Sequence, residues 1–242
     1  MKTFSGPTFI TQLDPYSAST VKEHGYGALA QTSDGRKFRY TRAVATMVTG
    51  DCYSSAGQDA QFQSMATSTL TAIGGSVVTV TNGTTAVTAN MFDEGYLCVS
   101  AGTGIGQSSR ILSHTTGASG ATIAYTIEDP FKVATDVATS TITVIRNPFV
   151  DMIIQAATPV APGIGIAQYA IPTGYYGWIQ TGGPAACLWD SSVSAVDTLG
   201  VTPSTTTAGA VTVSSTGFMQ IGYSMQVVPV SAKVSEVFLT ID

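Results

Sequence analysis

Residues 152–189 run for 38 positions without an Asp, Glu, Lys or Arg. That is long enough to cross a bilayer as a helix, which takes about 20 apolar residues. The run nevertheless holds Pro159, Pro162, Pro172, Pro184 and six glycines, with Gln155, Gln168 and Gln180 interspersed. A spanning helix could not satisfy its backbone through that punctuation. The run therefore reads as several strands separated by turns, and no membrane partner is expected.

The rest of the chain points the same way. Ser76–Thr81 is rich in β-branched residues, Asn82-Gly83 follows, and Thr84–Ala89 resumes the pattern. Asn-Gly between two such runs predicts a tight hairpin, because both turn residues must take positive φ. Further strands are expected at Gly95–Ala101, Ser109–His114, Ala121–Ile127, Thr139–Arg146, Val150–Ala156, Gly165–Ile171 and Tyr175–Thr181. Ala186–Asp190, Ala210–Ser215, Gln220–Val228 and Val234–Ile241 complete the series. Short spacing and Gly, Pro, Asp or Ser separators predict an all-β sandwich or barrel body. Helix is expected to be slight: a turn or two within Asp51–Met65 and a short helix at Pro130–Ala138.

Charge sets limits on partners. Only 10% of the 242 residues are charged, net charge is −5, and mean hydropathy is +0.25. The 36 threonines and 24 serines must supply much of the polar surface. Hydrophobicity this high argues against disorder. Ten basic residues against fifteen acidic cannot build a general nucleic-acid footprint. Cys52, Cys98 and Cys187 are odd in number and widely spaced, which predicts free thiols rather than a disulfide framework. No apolar leader precedes Asp14, so synthesis in the cytoplasm is expected.

Three segments are predicted. Residues 1–35 lack periodicity and read as an irregular arm. Two prolines within 157–164 suggest a break, giving β subdomains at 36–158 and 159–242. From Met152 to Ala232 only Asp190 and Asp197 are charged, which predicts a surface hidden in a homo-oligomer.

Catalytic signals are weak. His24 and His114 have no marked orienting partner, and the His and Cys spacings fit no zinc pattern. Asp93-Glu94 and Glu128-Asp129 are adjacent pairs, whereas glycosidase chemistry needs two carboxylates facing one sugar. A glycan hydrolase would have to collect two from among Asp93, Glu94, Glu128, Asp129 and Asp136 in one cleft. Gly102-Thr-Gly-Ile-Gly106 lacks the third glycine of a dinucleotide fingerprint and leads into a strand. No catalytic residue, metal or cofactor is expected. Two segments remain as binding candidates. Arg36, Lys37, Arg39 and Arg42 form the densest cationic stretch, a solvated strand or a patch for docking onto a protein surface. Tyr176 and Trp178 share one face of an aromatic strand, suited to a packed interface or a sugar platform.

The order of several segments resembles one family. Gly95–Gln107 is followed by Ser108–Ser113, then by Arg146–Asp151, Gly163–Pro172 and Tyr175–Pro184, and the chain closes on Ile221-Gly222 and Val237–Asp242. From about Asp34 onward the chain is similar to the head decoration (cement) proteins of tailed double-stranded-DNA bacteriophages. The resemblance implies a virion protein, often trimeric, that binds the outside of the major capsid protein shell and stabilises the head. It implies no catalytic residues. Arg36–Arg42 and the arm before it are the expected shell contact. The competing expectation is another virion part, a tail fibre, spike or tail-tube protein, with Tyr176 and Trp178 as a carbohydrate surface.

Overall fold

In a computed structural model the described residues are 8–11, 14–158, 161–190, 200–214, 219–227 and 233–242. The fold is all-β, as expected. The chain enters a first unit with β1 (Thr8–Phe9), β2 (Ala18–Ser19), β3 (Leu29–Gln31), β4 (Lys37–Arg42) and β5 (Cys52–Ser54). It crosses to a second unit for β6 (Met65–Ala66), β7 (Val77–Thr81), β8 (Tyr96–Ala101), β9 (Ser108–His114), β10 (Thr122–Ile127) and β11 (Thr141–Ile145). It then returns with β12 (Ile153–Ile154), β13 (Gly163–Ala167), β14 (Tyr176–Leu188), β15 (Gly200–Pro203), β16 (Val211–Val213), β17 (Gly222–Ser224) and β18 (Val234–Thr240). Helix among the described residues is confined to single 3-10 turns at Asp14–Tyr16 and Ala60–Phe62.

The two compact units are residues 1–57 with 148–242, and residues 58–147. This division differs from the one expected. One unit is inserted into the other, and residues 157–164 lie inside the first unit rather than at its border. Proline marks the end of a strand, and a strand end need not be a domain end.

The inserted unit is a nearly closed antiparallel sheet in the order β6-β11-β8-β9-β10-β7. Thr67 bridges Val80, and the Ser68 amide donates to the Thr79 carbonyl at 2.9 Å, which brings the first and last strands together. Period-2 alternation sends Val78, Val80, Leu97, Val99, Ile123 and Tyr125 inward, all essentially without exposure. Burial of each aliphatic side chain contributes about 1.5–3 kcal/mol. Phe92 meets Phe62 edge-on at 4.8 Å between ring centroids.

Two local expectations fail here. Asn82-Gly83 makes no tight hairpin, since neither residue takes positive φ. The Asn82 side-chain amide instead donates to the Thr85 and Ala118 carbonyls, and the Asn82 backbone amide bonds Ala121. Strand β7 thus pairs with β10 and not with Thr84–Ala89. Nor is there a helix at Pro130–Ala138. The amides of Lys132 and Val133 donate to the Gln107 side chain, and that of Thr135 to the Thr71 carbonyl, so they are not available for helical pairing.

The first unit is built on β14. The sheet path is β1-β3-β4-β14-β18-β17-β15-β16, with β2, β5, β12 and β13 attached. Residues 177–182 of β14 are all buried. Over those residues the lack of charge follows from burial within the sheet, while other parts of the run, Tyr169–Ala170 and Pro172–Gly174 among them, are exposed.

The N-terminal segment has little regular structure, yet it is not a detached arm. Strand β3 pairs with β4 and β2 with β14, and Tyr26 and Ala30 are buried. Residues 1–7 and 12–13 lie outside the described residues.

Candidate functional site

The two binding candidates, far apart in sequence, occupy neighbouring strands. Arg42 lies opposite Tyr176, Tyr40 opposite Trp178, and Phe38 opposite Gln180. Phe38, Tyr40 and Trp178 are buried with Ala30 in one core cluster, and Trp178 is only 5% exposed.

An aromatic column runs along this strand pair. Tyr176 stacks between Tyr26 and Tyr40, at 6.3 and 6.1 Å between centroids. Trp178 meets Tyr40 edge-on at 5.1 Å, and the His24 ring lies 5.2 Å from Trp178. The Tyr40 hydroxyl accepts the Glu23 amide at 3.0 Å, anchoring the segment that crosses the column. Burial pushes the phenols of Tyr26 and Tyr40 up, so both stay neutral. Trp178 is therefore no open sugar platform, because its own N-terminal segment covers it. Half-buried Tyr176 likewise spends its faces on the stack.

The basic stretch is also committed internally. Arg42 donates from Nε to Asp151 Oδ1 at 2.8 Å. Arg39 holds Asp242 by two bonds and gives a third to the Gly27 carbonyl at 2.8 Å. Arg36 pairs with Asp34 at 2.9 Å and donates to the Tyr16 hydroxyl. Lys37 is half-buried and its charge helps hold the Asp242 carboxyl down. These are the residues expected to form a cationic docking patch. The three guanidiniums bind carboxylates of their own chain, and removing one partner would strand the other.

The remaining chemical candidates fall into structural roles. Arg110 sits between Glu94 at 2.9 Å and Glu128 at 4.0 Å, so those carboxylates flank a cation and not an open sugar site. His114 faces Asp93 at 3.6 Å. Its Nε2 accepts the Phe92 amide, and Nδ1 lies 3.0 Å from the Thr115 carbonyl. This pattern fits a neutral imidazole donating from Nδ1. The Asp136 carboxylate receives the amides of Ala138 and Thr139. Asp129 lines a hollow of about 200 Å³ with Gln107, Phe131 and Lys132. Gly102, Gly104 and Gly106 all take positive φ in the turn joining β8 to β9, which makes the glycine-rich stretch a β connection. Among the described residues no group of three His, Cys, Asp or Glu is placed to hold a metal ion, and no helix is long and apolar enough to cross a membrane.

One surface was not singled out from sequence. In β18, alternation puts Val237 and Leu239 in the core and leaves Val234, Glu236 and Phe238 outward. The alternation is legible in Val234–Ile241, and apolar residues on both faces were the available signal.

No protein-family model, curated protein or solved structure matches this chain.

Proposed function

We propose that this chain is a structural protein of a tailed-phage virion, a capsid decoration or cement protein. It binds the outside of the major capsid protein shell, stabilises the head, and associates with itself, in the family's usual trimeric manner. It is made in the bacterial cytoplasm and carries no enzymatic activity. One observation carries the reading: the charged and aromatic side chains that could have served chemistry are spent on cohesion of the chain's own sheet. What the two β units offer outward is sparsely charged and partly apolar surface, including Ile73, Ile105, Val234 and Tyr223. Surface of that composition suits protein–protein contact better than ion or nucleic-acid recognition. Shell contact is accordingly assigned to apolar surface, not to Arg36, Arg39 and Arg42.

Co-sedimentation tests this. The purified chain is mixed with shells assembled from the major capsid protein encoded in the same phage genome. It should pellet with the shells at a fixed ratio and raise the temperature at which they break. A chain that stays in the supernatant contradicts the proposal.

A further inference from the structure

We propose that His114 is a pH-operated latch on the turn between Thr88 and Gly95. Neutral, it holds the Phe92 amide; protonated, it lets that amide go and takes the Asp93 carboxylate instead. The inference concerns the inserted unit alone and does not rest on the role proposed above.

The latch is built from three contacts. The His114 side chain, at the end of β9, is only 1% exposed. Its Nε2 accepts the Phe92 amide at 3.1 Å, and its Nδ1 lies 3.0 Å from the Thr115 carbonyl. A carbonyl cannot donate, so Nδ1 carries the hydrogen and Nε2 the lone pair. Asp93, the next residue along the turn, places Oδ1 3.6 Å from the same Nε2. Nε2 has one in-plane position. It holds either a lone pair, which takes the amide, or a hydrogen, which the carboxylate takes. The two bonds exclude each other. Closing the 3.6 Å gap to a charge-assisted bond needs a movement of roughly 0.8 Å. Because Phe92 and Asp93 are neighbours, the shift that brings one in carries the other away.

The turn is poised for this. Its own bonds run from the Met91 amide to Thr88, from Asp93 to Asn90 and from Gly95 to Phe92. Asn90 and Glu94 take φ of 61° and 58°, and a Glu in the left-handed region persists only where its surroundings hold it. The Phe92 ring, without exposure, meets Phe62, His114 and Tyr125 at 4.8, 5.7 and 5.9 Å between centroids. A shift at the Phe92 amide is therefore felt in the core of the inserted unit.

The surrounding charges leave Asp93 as the partner. Tyr125, opposite His114 on β10, lies 5.8 Å away ring to ring, and burial pushes its phenol up, so it stays neutral. Glu94 is paired with Arg110 at 2.9 Å. The Arg146 guanidinium stands 5.9 Å from the Phe92 ring centre. Among the described residues Asp93 is the one carboxylate within ion-pair distance of His114. Histidine ordinarily changes charge between about pH 5 and pH 8, so mild acid operates the latch.

Nuclear magnetic resonance of the full chain across that pH range tests the latch, with far-ultraviolet circular dichroism as the control for global folding. Above neutrality the His114 ring nitrogens should report the hydrogen on Nδ1. As Nε2 gains its proton, the Phe92 amide should lose protection from hydrogen exchange about tenfold or more, with the same midpoint, while the dichroism stays constant. His24, the other histidine, should titrate without moving that amide. In His114→Gln the side-chain carbonyl can still accept the amide but cannot titrate, so Phe92 should stay protected throughout. Asp93→Asn should lower the pH at which the amide is released. A hydrogen on Nε2 above neutrality overturns the proposal, and so does a Phe92 amide that stays protected while His114 titrates. Loss of all secondary structure at the same midpoint, or a His114→Gln chain that keeps the native pH dependence, overturns it as well.

Discussion

Arg39 grips Asp242 with two hydrogen bonds, Nε to Oδ2 at 2.7 Å and Nη2 to Oδ1 at 2.9 Å, across 203 residues of sequence. The pair fastens the last described residue to β4. Both side chains keep about a quarter of their exposure, so solvent screens the pair, and its contribution is about 1 kcal/mol.

The Asp242 carboxyl is held below the usual aspartate range, first by the Arg39 hydrogen bonds and then by the Thr181 hydroxyl. A carboxyl lowered in the folded state binds fewer protons folded than unfolded. Its stabilisation is present above the ordinary aspartate value and is lost as pH falls through the lowered folded one. Arg39→Ala should therefore lower stability at pH 7 by about 1 kcal/mol and flatten the acid-side loss of stability. Arg39→Lys should recover only part, since an ammonium cannot make the paired bonds. Melting curves between pH 7 and pH 3 check both points, and an unchanged acid limb in Arg39→Ala would refute the assignment.

Trp178 is a core residue in this account. Trp178→Ala should cost about 3–5 kcal/mol in urea unfolding, the range for truncating a buried aromatic. Tyr176→Ala should cost less, because Tyr176 is half-buried. A Trp178→Ala variant of near-native stability that loses binding to a glycan would instead support the sugar-platform reading.

Gly102 and Gly106 separate two causes of glycine preference within one turn. Both have positive φ, near 76° and 86°. A Cβ at Gly102 would overlap the Thr139 carbonyl oxygen, whereas one at Gly106 meets nothing within 4 Å. Gly106→Ala should cost about 1 kcal/mol from backbone conformation alone, and Gly102→Ala clearly more. Equal losses in thermal melts would contradict the local geometry.

Thiol labelling reads the core directly. Cys52 and Cys187 are fully buried, and burial pushes the Cys52 thiol up to about 12. At pH 8 neither should react with an aromatic disulfide reagent in the folded protein, while half-buried Cys98 labels slowly. All three should label in denaturant. Fast labelling of two or more in the native state would contradict the packing around β14.

The class of fold was legible because its signals are local. Alternation over Tyr96–Ala101, Thr122–Ile127 and Val234–Thr240 needs no distant partner to be read. Where pairing decided the outcome, local rules failed. Asn82-Gly83 is a strong turn signal, but the Asn82 amide bonds the Ala121 carbonyl and β7 pairs with β10 instead of Thr84–Ala89. The merging of Tyr175–Thr181 with Ala186–Asp190 into one long strand was hidden by Gly182, Gly183 and Pro184, which read as a turn. The candidate site shows the same limit. The cationic and aromatic residues were visible, but the carboxylates that neutralise the arginines lie at Asp34, Asp151 and Asp242. Two of these three are more than a hundred residues from their partners.

The most direct test of the central claim is where the protein lies on a virion. On the proposed reading, immunogold labelling and low-resolution electron cryomicroscopy of tailed-phage particles whose genome carries this chain would locate it. The account predicts density repeated over the whole outer surface of the head, lost from particles that lack the chain. Density confined to the tail or to a single vertex, or no density on the particle, would contradict it.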